Sequence, residues 1–315
     1  MAVPPGAPLL SDPVALQVPA ASDLVVSVYL PGRTAAGTIH SSAFQEGWVA
    51  AGDVTARPSV QPVSVIEAWY FLSGVAVGVG IPGRDDGCVV TLGDSITDGA
   101  DTTVNANRRW PDFLARRLRA TGGLERLGVA NAGIAGNRLL HDPNPSPGSG
   151  YEDIAELFGQ CALRRFDRDV GAQPGARYVI VLLGANDLGH PGTVAPASEE
   201  VSAADVIGAH RQLIARARAR GLRILGGTIL PFGNDTFGFS RPEREAARLA
   251  VNAWIRTGGE FDAVADFDAA LRDPDRPERL LAAYDSGDHL HPNDAGAGAL
   301  ADAVPLEFFQ TLTFG

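Results

Sequence analysis

The chain contains no lysine: its basic residues number 26, and every one is arginine. This removes lysine as a nucleophile or Schiff-base former, and codon bias in a GC-rich genome explains it without any functional reason. Two cysteines, Cys88 and Cys161, are too few for a disulfide framework or a zinc cage. They are not expected to pair. Cys88 should enter a core strand at its N-terminal edge, and Cys161 should open a helix at the opposite edge. A strand of that size spans about 17–20 Å, whereas a disulfide tolerates about 7 Å between Cα atoms. Positive charge is scarce as well. With 37 acidic residues the net charge is −11, which disfavours nucleic acid as a partner. No apolar run approaches the roughly 18–20 residues that span a bilayer, so a soluble protein is expected. The opening "MAVPPGAPLLSDP" lacks a basic n-region and is too rich in proline for a signal-peptide core.

What is present falls into two regions. Residues 1–84 hold short β-branched or aromatic runs punctuated by Gly and Pro, such as "DLVVSVYLPG", "WVAAGDVTA" and "SVIEAWYFLSGVAVGVG". That pattern reads as antiparallel strands in a small β-sandwich-like module. Gly78, Gly80 and Gly83 match G-x-G-x-x-G, but Pro82 and "RDDG" lead into a strand rather than a helix. A flexible linker explains them better than a dinucleotide fingerprint. Residues 85–87 are expected to link the module to a domain spanning 88–315. There, apolar runs at "CVVTLG", "LGVANAG", "RYVIVLLG", "LRILGGTIL" and "DAVADF" alternate with helical patterns near 109–121, 152–170, 202–220, 241–258 and 294–312. Such alternation predicts an α/β fold, a doubly wound parallel sheet of about five strands in a three-layer α/β/α sandwich. Ligands of these sheets bind beyond the carboxyl ends of the strands.

Polar, glycine-flanked loops stand at those ends: "GDSITDG", "NAGIAGN", "GANDLGH" and, after a long excursion, "DSGDHLHPNDAG". Acyl transfer to a hydroxyl needs a nucleophile, a base, a group that orients the base, and donors for an oxyanion. Ser95 suits the first role on a strand-to-helix turn, although its window alone equally fits a helix cap. His291 suits the base, and Asp288 could fix its tautomer. The Ser95 and Gly136 amides and the Asn186 side chain could hold the oxyanion. Support or pocket roles fall to Asp94 and Asn131, which should brace loops, to His190, which could line the pocket or lie on the surface, and to His289, which should flank its loop. Asp98 reads as a turn residue, His141 as part of a long loop beside the site, and His40 and His210 as structural or solvent-facing. A metal site among Asp288, His289, His291 and Asp294 is disfavoured, because it leaves Ser95 idle; neither a metal nor a cofactor is called for. Asn234-Asp-Thr236 matches a glycosylation acceptor and carries little weight.

In this order, "GDS", "NAGIAG", "GAND" and "DHLH" resemble the SGNH hydrolase superfamily, the GDSL esterases and lipases, over residues 88–315. The resemblance implies a flavodoxin-like sheet, Ser95 as nucleophile, Asp288 and His291 as its partners, and Gly136 and Asn186 in the oxyanion hole. "NRRWPDFLARRL" is similar to bacterial members with sugar-ester or lysophospholipase-like descriptions, a subgroup with an N-terminal β-rich module. Against that subgroup, the module here could be incomplete. Ile96 stands where the GDSL name has leucine. No G-x-S-x-G occurs, which argues against an ordinary α/β-hydrolase.

The implied activity is hydrolysis of carboxylic esters through an acyl-enzyme, with short-chain or acetyl esters favoured because the loops at 141–160, 190–201 and 231–240 hold few large aromatics. The alternatives are an acyltransferase using the same residues, or a carbohydrate- or surface-binding protein with a vestigial site. The expected partner is a small-molecule or carbohydrate ester, the oligomeric state is open, and no membrane span is expected. A secreted or extracytoplasmic location is expected, with a cytoplasmic one left open.

Overall fold

The computed structural model describes residues 8–35, 37–78 and 86–310. Gly80 and Gly83 of the glycine motif, and Arg84 and Asp85 at the expected boundary, lie outside them. The chain divides into two compact units, one through Gly80 and the other from Ile81.

In the first unit, β1 (Ile39–His40) pairs antiparallel with β4 (Trp69–Tyr70), and β2 (Gly47–Val49) pairs antiparallel with β3 (Ser64–Ile66). The β-rich module is thus present as two small pairs. The run at 23–32, expected to be a strand, forms none, and its Val25 is 79% exposed. Two-stranded pairs bury little apolar surface, and of this unit's described residues only Ala43 is buried.

The second unit carries the five expected strands: β5 (Gly87–Gly93), β6 (Leu127–Gly133), β7 (Ala176–Leu182), β8 (Arg223–Gly227) and β9 (Ala263–Ala265). Gly87, expected in the linker, is the first residue of β5. All neighbours are parallel, in the order β6-β5-β7-β8-β9. Alternation along the strands feeds two cores, because successive side chains point to opposite faces. Val90, Leu92, Val179 and Val181 pack under α3 (Ala162–Phe166), α5 (Ala203–Ala219) and α6 (Pro242–Thr257). Val89, Tyr178, Ile180 and Leu182 pack under α2 (Trp110–Arg119), α7 (Phe267–Leu271) and α8 (Asp294–Asp302). Both faces are covered, so the strands read as continuous apolar runs.

Two further helices, α1 (Ser95–Asp98) and α4 (Ala185–Gly189), are too short to show a periodicity in sequence. The helix expected at 152–170 is broken into a 3-10 turn at Ala155–Phe158, α3, and a wider π turn at Asp167–Gly171; Gly159, at φ 66°, separates the first two. Cys88 lies in β5 and Cys161 caps α3, and both are free. In this strand order the direction of winding reverses at β5 and β7, the crevice where such sheets bind ligands.

Candidate active site

Ser95 sits at the carboxyl end of β5, as the first residue of α1. It does not cap that helix. Asp94 does, its Oδ1 accepting the Ile96 amide at 3.1 Å, so Asp94 serves its own turn rather than bracing neighbouring loops. The turn requires glycine before it: a Cβ on Gly93 would lie 2.0 Å from Thr97 Oγ1. Burial pushes the Asp94 carboxyl up to about 7, against the pull of the Ile96 amide and of His291.

The far end of the chain returns to this point. A bridge between Asp285 and Pro292 closes a loop in which Asp288 Oδ1 accepts the Leu290 and His291 amides at 2.9 and 2.8 Å. His291 Nδ1 donates to Asp288 Oδ2 at 2.5 Å. That leaves Nε2 to accept from the Ser95 hydroxyl, 2.7 Å away and 196 residues earlier in the chain. Burial raises the Asp288 carboxyl, but the hydrogen bond and charge of His291 and the two amides outweigh it and hold Asp288 well below the usual carboxylate range. His289 does not join them. Its backbone is left-handed at φ 65°, and its ring pairs with Asp285.

The second and third loops supply amides and a framework. Gly136 has φ +74°, and a Cβ there would lie 2.3 Å from the Phe158 ring, so only glycine fits. Among the described residues the Ser95 and Gly136 amides find no acceptor. Asn186 Nδ2 donates to the Asn137 carbonyl at 3.0 Å, which uses one of its two hydrogens. Asn131 braces the loop, donating to the Thr97 carbonyl at 2.7 Å and accepting the Gly133 amide at 2.8 Å. Asp98 is more than a turn residue: it is buried, and its Oδ2 accepts the Ala135 amide at 3.0 Å, one residue before Gly136.

Two buried polar residues complete the framework. Arg165, with a fully buried side chain, donates to the carbonyls of Gly93 at 3.0 Å and Ala132 at 2.8 Å and to Asn137 Oδ1 at 3.0 Å. It thereby ties the ends of β5 and β6 to the Gly136 loop. Buried Asp187, next to Asn186, accepts the amides of Leu139 and Leu140 at 2.8 and 3.0 Å. Neither is legible from one sequence, because each works through the three-dimensional meeting of loops.

Beside Gly136 lies a small pocket lined by Arg138, His141, Phe158, His190 and Val194 among others. Of the two places open to His190, the structure takes the buried one. Burial, with the charges of Arg138 and Arg244, pushes its imidazole down to about 3 and so keeps it neutral. Arg138 is committed to Glu199 Oε2 at 2.6 Å and to the Asp142 carbonyl at 2.5 Å. The expectation of few large aromatics near the site fails. Phe158 and Phe239 pack against His190 with centroids 5.7 and 5.6 Å away, and Phe237 stands nearly perpendicular to His291 at 5.8 Å.

Among the described residues one group of three side chains could hold a metal, and it is Asp101, Asp288 and His291. It differs from the cluster at Asp288, His289, His291 and Asp294: His289 is turned to Asp285, and Asp294 accepts from Thr103 at 2.8 and 2.6 Å. Both nitrogens of that ring are already engaged, Nδ1 with Asp288 and Nε2 with the Ser95 hydroxyl.

Residues 91–299 match the family model described as the GDSL-like Lipase/Acylhydrolase family. No curated protein matches. Among solved structures, an acetylxylan esterase from Geobacillus stearothermophilus aligns at 19% identity over 73% of this chain and 97% of its own, with a TM-score of 0.50. An alpha/beta hydrolase enzyme from the metagenome of Lake Arreo, Spain, aligns at 19% identity over 72% and 98%, also at 0.50. These likenesses speak for the fold, and the family match covers most of the chain. No helix of the described residues is long and apolar enough to cross a membrane. With the sheet, the loop order and the family in agreement, the chain belongs to the GDSL-like Lipase/Acylhydrolase family and is a carboxylic ester hydrolase.

Proposed function

We propose that the enzyme cleaves its esters through an acyl-enzyme on Ser95, with compact acyl groups such as acetyl as the favoured substrates. The observation that carries this reading is the unbroken hydrogen-bond chain from the Ser95 hydroxyl through the His291 ring to Asp288, at 2.7 and 2.5 Å. His291 takes the hydroxyl proton as Ser95 Oγ attacks the ester carbon, and Asp288 holds the ring in the tautomer this requires. The carbonyl oxygen, now negative, is received by the Ser95 and Gly136 amides and the second Asn186 hydrogen. His291 returns the proton to the leaving alcohol. A water, deprotonated by the same ring, then releases the acid and restores Ser95.

Support for compact acyl groups comes from the phenylalanines. Phe158 closes directly over Gly136 and, with neutral His190, walls the small pocket beside it, while Phe239 packs against His190. An apolar wall so close leaves little length for an acyl chain.

A fluorophosphonate probe and an acyl series test the two halves of the proposal separately. Labelling of the parent should vanish in Ser95→Ala and in His291→Ala; labelling that persists in Ser95→Ala would place the nucleophile elsewhere. Along a series of aryl esters, kcat/KM should fall by about tenfold or more between acetyl and octanoyl, since misfit methylenes each cost about 1–3 kcal/mol in such pockets. A rate that climbs with chain length would remove the compact-acyl assignment. Acetylated sugars follow as the first carbohydrate esters to try.

A further inference from the structure

The loop that follows α1 carries a second carboxylate to the imidazole. Asp101 Oδ2 lies 3.4 Å from His291 Nδ1, the nitrogen that Asp288 already engages at 2.5 Å. Asp101 reaches it in a left-handed backbone conformation, φ 61°. Residues other than glycine occupy that region rarely, and such strain persists where surrounding structure enforces it.

Here both sides of the loop are enforced. On one side Thr102 closes a turn onto Gly99, its hydroxyl donating to the Gly99 carbonyl at 2.7 Å. On the other, Asp294 accepts the Thr103 amide at 2.8 Å and the Thr103 hydroxyl at 2.6 Å, while Arg108 donates to the same carboxylate at 3.2 Å. Asp294 stands three residues after His291, at the head of α8. The loop bearing Asp101 is therefore clasped to the segment bearing the imidazole, and the short distance follows from the clasp. The side chain is about half exposed, so packing alone does not dictate a carboxylate at this position.

We propose that Asp101 is a second positioning carboxylate for His291, sharing with Asp288 the task of holding the Nδ1–H toward a negative charge. This rests on the reading of His291 as the base for Ser95. When the ring takes up the serine proton, its positive charge faces two carboxylates. When Asp288 is lost, Asp101 still favours the tautomer that leaves Nε2 free to accept. Buried Asp94 is a further titratable group within electrostatic reach of the ring, and Phe237 packs against that ring at a near-perpendicular angle. Burial and the Asp288 charge raise the Asp101 carboxyl from its ordinary value, as expected of two carboxylates crowding one cation.

A double-variant cycle tests the assignment. Replacing a sole orienting carboxylate by its amide costs roughly 10⁴ in kcat in a serine–histidine–aspartate site. With Asp101 in support, Asp288→Asn should lose only about 10², and Asp101→Asn a few-fold, while the double variant should return to about 10⁴. Asparagine tolerates the left-handed backbone, so D101N keeps its loop, and an unchanged thermal midpoint verifies this. In D101N the acid limb of the kcat/KM profile should also move to lower pH, because a negative charge that favours the imidazolium is gone; a merely structural residue would not move it. A double variant no worse than the product of the singles, or an acid limb that stays put, overturns the proposal. His291→Ala separates the two readings: inactivity there beside multiplicative singles sinks Asp101 alone, whereas parental activity in His291→Ala sinks both.

Discussion

At the scale of single residues, Asn186 shows how much work one side chain divides. One amide hydrogen is spent on the Asn137 carbonyl, which fixes the direction of the group, and in the proposed mechanism the other meets the developing oxyanion. Asn186→Ala should therefore lower kcat by roughly 10²–10³ with little change in KM, the loss typical of one oxyanion donor. Steady-state kinetics across a substrate range would show it; a variant whose KM rises at constant kcat would mean that the amide binds substrate rather than the transition state. Residues of this kind were open to sequence reasoning, since a serine, a histidine with an aspartate three positions earlier, and an asparagine announce their chemistry by type and order. Asp101 was not. Nothing in "DGADTTVN" reveals that Thr103 will be clasped by Asp294, 191 positions away.

At the scale of elements, the loops at the strand ends are held by buried polar groups more than by their own turns. Arg165 is the clearest case. Its guanidinium donates to two strand-end carbonyls and to Asn137, with Asp169 at 3.2 Å as its counter-ion. Arg165→Met keeps the apolar stem and leaves those acceptors buried and unpaired. The expected cost is about 3 kcal/mol or more in urea unfolding, with esterase activity falling further than stability alone predicts. A variant as stable and as active as the parent would show that water replaces the guanidinium without loss. The five strands and the longer helices were legible, because both sheet faces are covered and the strands stay apolar throughout. The short helices α1 and α4 were not, and a π turn interrupts one expected helix, since one or two turns are decided by caps and tertiary hydrogen bonds rather than by periodicity. The 231–240 loop holds three phenylalanines in ten residues, plain in the sequence, but that Phe237 and Phe239 meet on one wall is decided by the fold.

At the scale of the whole molecule, stability at acid pH is bound up with neutral imidazoles sealed in the core. His210 on α5 is fully buried against Trp254 and Phe261, and burial pushes it down to about 4, the Leu183 backbone working the other way. Between pH 6.5 and 4 the unfolded chain binds a proton that the folded one refuses, so stability falls as pH drops through that window, by about 3 kcal/mol for this one group. Asp94, raised to about 7, acts with the opposite sign, since the folded state there holds the extra proton. The two are separated by substitution: in His210→Leu the difference in unfolding free energy between pH 7 and pH 4 should shrink by most of that amount. An undiminished difference would assign the acid sensitivity to other groups.

The position of Ser95 and His291 near opposite ends of the hydrolase unit has a consequence for biosynthesis. The hydroxyl leaves the ribosome on the turn that follows the first strand of the sheet, and the ring proposed to activate it follows only when almost the entire unit has been made. On the proposed mechanism, a nascent or prematurely released chain ending anywhere before the loop at 285–292 carries a serine with no base. Under that reading, ester cleavage at Ser95 is expected only once translation of this unit is all but finished.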